Sequence, residues 1–146
     1  DHKEYYKDYF PEIVFNTYNG KDLNFSDNFF DRIVISHTLE HIVDFEKFLK
    51  EMMRVLKPGC VISIASPCDN GLMWRIGQFI LKKTYHKYKK LSEIDYNYIM
   101  ANEHINTIFQ IRSVLKKKFK IQKELYLPFR IKVIDMNLIH ICHIIK

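Results

Sequence analysis

The chain has 146 residues, 47% of them hydrophobic and 27% charged, with a formal net charge of +6. That composition supplies one buried core and excludes a disordered or low-complexity chain. No run of about 18 apolar residues occurs, so no membrane-spanning helix is expected, and the polar, aromatic first ten residues do not read as a signal peptide.

Residues 3–10 carry the pattern of a helix end stopped by Pro11, which cannot continue a helix. Glu12 to Tyr18 reads as a strand ending at the turn signal Asn19-Gly20. A loop follows from Lys21 to Phe30, with Ser26-Asp27-Asn28 as its turn. Arg32 to Ser36 is a short β-branched run, the pattern of a strand buried on both faces. Asp44 can cap a helix whose apolar face is Phe45, Phe48, Leu49, Met52, Val55 and Leu56. Lys57-Pro58-Gly59 is expected to stop that helix, and Cys60 to Ser66 to form the next strand. Strand, helix and strand with short connections make a βαβ unit with parallel strands. Residues 71–90 read as a helix with Leu72, Ile76, Phe79 and Ile80 on one face, followed by lysines. Thr107 to Lys118 reads as a further helix. The end of the chain, from Ile121, fits two antiparallel strands with a turn near Asp135-Met136-Asn137.

Cys60, Cys68 and Cys142 form no CxxC pair, which argues against a disulfide scaffold and for buried thiols in a reducing cytoplasm. Lysines cluster at Lys82 to Lys90 and at Lys116 to Lys120. No nucleic-acid module accompanies them, so they read as solvated helix faces and nucleic acid is not an expected partner. Apolar residues followed by lysines over 72–90 would also suit peripheral contact with an anionic membrane.

The stretch from Asp22 to Ile42, which includes Leu23-Asn24-Phe25-Ser26-Asp27-Asn28 and His37-Thr38-Leu39-Glu40-His41, resembles a segment of class I S-adenosylmethionine-dependent methyltransferases. Arg54-Val55-Leu56-Lys57-Pro58-Gly59 and the strand after it resemble the same family. The resemblance implies an α/β fold: a doubly wound, mostly parallel sheet with a C-terminal antiparallel strand pair. The chain's four glycines form no glycine-rich cluster. The expected organisation is therefore the C-terminal portion of one methyltransferase domain. It would lack the first two strands and the glycine-rich loop, and would carry a helical acceptor-side insertion at about 69–106. The residue 12–18 strand would then be separated from its neighbours.

The resemblance further implies a cofactor, S-adenosylmethionine, across the carboxyl ends of the strands. Asn19, Gly20, Lys21, Asp22 and Leu23 would flank the adenine, and Ser36, His37 and Leu39 the methionine end. The acceptor would be a small molecule or a glycan or lipid precursor. Read from their chemistry alone, His41 and Glu40 can serve either as catalytic groups near the transferred methyl or as structural groups at a helix start. Trp74 and His104 can line an acceptor pocket or simply pack. His37-Thr38-Leu39-Glu40-His41 also spells an inverted zinc-protease motif, but His37 belongs to the exit of a strand rather than to a helix, and no metal is expected. A degenerate methyltransferase half serving as a non-catalytic scaffold is the alternative function.

Overall fold

The computed structural model describes residues 9–14, 23–69, 71–89, 98 and 102–146. β1 (Phe30–Ser36) leads through a 3-10 turn (Leu39–His41) to α1 (Phe45–Val55), which returns directly to β2 (Leu56–Pro67). α2 (Leu72–Lys89), α3 (Ile108–Lys118), β3 (Lys120–Leu127), a second 3-10 turn (Ile134–Met136) and β4 (Ile139–Ile145) follow. Among the described residues, four strands form one sheet in the order β1-β2-β4-β3. β1 runs parallel to β2, with Arg32 opposite Val61 and Ser36 opposite Ala65, while β4 is antiparallel to both β2 and β3. The expected βαβ unit and the terminal antiparallel pair are both present.

The helix starts follow from their caps. The Asp44 carboxylate accepts the Lys47 N–H at 3.0 Å at the head of α1. Thr107 and Gln110 form a reciprocal capping box at the head of α3. Phe45, Leu49, Met52 and Val55 then recur at helical spacing and are the buried face of α1. Of these, Phe45, Leu49 and Met52 meet Ile35, Ile62, Ile64, Cys142 and Ile144 of the sheet and Ile111 and Leu115 of α3 in one core.

Three expectations need correction. α1 ends at Val55 and β2 begins at Leu56, ahead of Lys57-Pro58-Gly59 rather than after it. Pro58 holds Lys57 extended, and Gly59 turns the strand at φ 77°. The register moves from Phe30 opposite Leu56 to Arg32 opposite Val61, so Lys57-Pro58-Gly59 is a bulge inside the strand. Burial of β1 on both faces is met on one only. Both α1 and α3 lie on the Ile35 face, and Val34 on the other is 67% exposed. Finally, Glu12 lies in a turn, with the Ile13 N–H donating to the Phe10 carbonyl at 3.1 Å, instead of opening a strand. Residues 15–18, and residues 3–8 of the expected helix, lie outside the described residues.

Arg54, in the last turn of α1, fastens the loop ahead of β1. Its guanidinium donates to the carbonyls of Leu23 (3.1 Å) and Phe25 (3.0 Å), to Asp27 (2.5 Å) and, in a fork, to both oxygens of Glu51 (2.7 and 2.9 Å). Glu51 also accepts the Leu23 N–H at 2.9 Å. The Arg54 hydrogen bonds, helped by that backbone N–H, hold the Glu51 carboxyl down at about 2.

Candidate active site

The parallel register sets the exits of β1 and β2 side by side, which makes their carboxyl edge the natural place for a site. His37 leaves β1 in the left-handed region, at φ 49°, with its N–H donating to the Ala65 carbonyl at 2.9 Å. That conformation is strained for a residue with a side chain, and it turns the chain into the Leu39–His41 turn. Leu39 is fully buried and anchors the turn in the core. Glu40 is 1% exposed; its Oε1 lies 3.5 Å from His37 Nδ1 and 3.9 Å from His41 Nε2. Its Oε2 is buried with no hydrogen-bond partner among the described residues. A carboxylate in this position suits a cationic neighbour.

The segment before α3 closes over the turn. His41 Nδ1 is 2.6 Å from the Glu103 carbonyl, which can only accept, so Nδ1 carries the proton and the neutral ring presents its lone pair at Nε2. Asn106 donates from its side chain to the carbonyls of Leu39 (2.9 Å) and Ile42 (2.6 Å), and from its backbone to that of Glu40 (3.1 Å). These bonds span more than 60 residues of sequence and fix the turn.

Past the end of β2 sits Asp69, 5% exposed. Its Oδ1 accepts the Ile108 N–H at the start of α3 at 2.8 Å, and its Oδ2 is 3.3 Å from His104 Nδ1. His104 therefore also presents Nε2 as its lone-pair nitrogen in the neutral form. The His104 ring meets that of His41 edge to face at 5.0 Å, and the Trp74 ring lies 6.3 Å from it. Two proton-accepting imidazoles, each oriented by an oxygen behind it, thus face each other beside a buried carboxylate and an indole.

Of the residues singled out from the sequence, Ser36, His37, Leu39, Glu40 and His41 share the β1 exit, His104 meets His41, and Trp74 lies beside His104. Leu39 contributes no exposed side chain there, being core. Leu23 lines an apolar recess of about 240 Å³ with Phe25, Phe30, Arg32, Ile33 and Met52. Asn19, Gly20, Lys21 and Asp22 lie outside the described residues. Asp69 and the role of Asn106 are additions from the structure. Pro67-Cys68-Asp69 at the end of an apolar strand was the available signal for the first.

Residues 2–64 match the family pattern described as "Methyltransferase domain". The fold agrees with a SAM-dependent methyltransferase from Aquifex aeolicus at a TM-score of 0.60 and 12% identity, over 98% of this chain and 60% of that one. The chain is thus similar over residues 2–64 to methyltransferase domains, and its fold is that of S-adenosylmethionine-dependent methyltransferases. It is 33% identical over 90 residues to the demethylmenaquinone methyltransferase of Corynebacterium urealyticum, covering 60% of this chain and 39% of that one. It is 51% identical over 41 residues to the ubiquinone/menaquinone biosynthesis C-methyltransferase UbiE of Vibrio cholerae, covering 28% of this chain and 16% of that one. The chain thus spans about two-fifths of the first of these relatives and less of the second. The cyclase SpnF shares the fold at a TM-score of 0.60 and 15% identity, over 95% of this chain and 60% of that one. The fold therefore hosts more than one chemistry, and the reaction has to be argued from the site.

Proposed function

We infer that the protein carrying this chain transfers a methyl group from S-adenosylmethionine to a small molecule bearing an ionisable hydroxyl. One observation carries the reading: His41, its lone pair at Nε2, stands beside buried Glu40 at the carboxyl edge of β1. Quinone-pathway names among the relatives favour a hydroxylated aromatic acceptor.

The residues present fit the cofactor. Ser36, His37 and the orphaned Glu40 Oε2 offer polar partners at the methionine end, and Glu40 suits a cationic group there. The cofactor supplies an activated methyl, which leaves the chain to position, exclude water and manage one proton. His41 Nε2 accepts the proton of the acceptor hydroxyl. The resulting imidazolium is stabilised by the Glu40 carboxylate 3.9 Å away and donates from Nδ1 to the Glu103 carbonyl. His104, held by Asp69, and Trp74 form the opposite wall, where a flat ring can stack.

The test uses the full-length protein. Calorimetric titration with S-adenosylmethionine should give saturable binding, and demethylmenaquinol should be methylated with release of S-adenosylhomocysteine. His41→Gln should keep cofactor binding and lower kcat by about 10²–10⁴-fold, the usual contribution of a positioned base. Absence of cofactor binding would favour the scaffold reading, and an unchanged kcat would remove His41 as base.

A further inference from the structure

The apolar stripe of α2 faces outward. Leu72, Ile76 and Phe79, one helical turn apart, are 58%, 44% and 60% exposed. Trp74, on the opposite side of the helix, lies toward His104. A helix packed on a core ordinarily turns its apolar stripe inward. Cations accompany the stripe on the same helix, at Arg75, Lys82 and Lys83, and the sequence over residues 71–89 holds no carboxylate.

A second segment repeats the pattern. In the loop between β3 and β4, Phe129, Ile131 and Val133 are 53%, 45% and 42% exposed, with exposed Arg130 and Lys132 between them. This loop is a built structure. The fully buried Asn137 side chain accepts the Phe129 N–H at 3.1 Å and donates to the carbonyls of Ile131 (2.8 Å) and Val133 (2.7 Å). The loop is also joined to α2. Asp135 accepts the Leu72 N–H at 3.2 Å, and Gly71 approaches the Ile134 carbonyl so closely that a Cβ there would lie 3.1 Å from it. The one carboxylate of the loop is thereby engaged with the helix start.

We propose that α2 and the 129–133 loop together form a docking surface for an anionic lipid bilayer. Aliphatic and aromatic side chains held outward among cations match the acyl–headgroup boundary of such a bilayer, apolar below and negative at the surface. The absence of carboxylates from residues 71–89 and from residues 129–133 supplies the charge complementarity. Because the inner side of α2 carries Trp74, the helix stands between the membrane and the candidate site. The proposal does not depend on methyl transfer.

The full-length protein is sedimented with vesicles of phosphatidylcholine alone and of phosphatidylcholine with phosphatidylglycerol, at low and high salt. The expected result is binding to the anionic vesicles at low salt, weakened at high salt, with little binding to phosphatidylcholine alone. Phe79→Asp should reduce binding at least about tenfold. Arg130→Glu with Lys132→Glu should reduce it about as strongly, since each cation near the surface is worth about fivefold. Both variants alter exposed side chains, and circular dichroism together with cofactor titration verifies their fold and keeps this test separate from the methyl-transfer reading. No binding to anionic vesicles at low salt overturns the proposal and leaves a protein or nucleic-acid partner for this face. Equal binding to both lipids, or binding unaffected by either variant, overturns it as well.

Discussion

Asn106 is the hinge pin of the candidate site, and its removal makes a quantitative test. In Asn106→Ala the carbonyls of Leu39 and Ile42 each lose a side-chain donor, at 2.9 and 2.6 Å, while the backbone bond to Glu40 remains. Leu39 is fully buried and its carbonyl keeps only the long bond from the Ile42 N–H at 3.4 Å, so it should lose about 1–3 kcal/mol; Ile42 is only half-buried, and water should recover part of its loss, leaving about 1 kcal/mol. The expected destabilisation is about 2–4 kcal/mol. Asn106→Asp should be worse, because it aims a carboxylate at two carbonyls in place of the donor. Urea unfolding should show a lower midpoint at constant slope, the mark of altered stability without altered compactness. Cofactor affinity should fall in parallel as the turn carrying Glu40 and His41 loosens. An Asn106→Ala protein within about 0.5 kcal/mol of the parent, or an Asn106→Asp protein as stable as the parent, would refute the assignment of Asn106 as the pin.

Other outcomes follow from the same geometry. The folded Glu51 carboxyl lies at about 2, below its ordinary 4.5, so its stabilisation is complete above about pH 4.5 and is lost as pH falls toward 2. Glu51→Gln should flatten acid unfolding in that window, read by circular dichroism against pH. Gly71→Ala places a Cβ 3.0 Å from the Cys68 carbonyl and 3.1 Å from that of Ile134, both backbone, and should destabilise by about 1–3 kcal/mol in thermal melts. Burial pushes the thiols of Cys68 and Cys142 up to about 11 and about 12, so both should resist iodoacetamide at neutral pH until the protein unfolds, as mass spectrometry of tryptic peptides would show.

What the sequence revealed was what local chemistry controls. The β-branched run ending at Ser36, the Asp44 cap and the periodic face of α1 each act within a few residues, and each is found where it was expected. The helix end at Val55 was misplaced because the Pro-Gly pair suggests a stop, whereas it serves here as a bulge in a strand already begun. The α2 stripe was legible as a stripe, but periodicity does not tell which side meets the core, and the exposed values of Leu72 and Phe79 reverse the default. At the site, His41 and Glu40 stood out as residue types. Their partners did not, because Asp69 with Ile108 and Asn106 with Leu39 are pairings across 39 and 67 residues that only the closed fold brings together.

The strand order has a consequence for how the chain assembles. Among the described residues, β3 touches the sheet only through β4, which lies between it and β2 although it comes later in the sequence. A chain leaving the ribosome can close the local β1-α1-β2 unit early, but the far edge of β2 stays open, with its row of unpaired donors and acceptors, until Ile139–Ile145 has emerged. β4 must then be threaded between β2 and a β3 already synthesised, a non-local step that should limit the folding rate. Until it happens, Ile62 and Ile64 are exposed along an edge that a second chain could pair with. Synthesis that stalls before residue 139 would therefore release a species disposed to add strands between molecules.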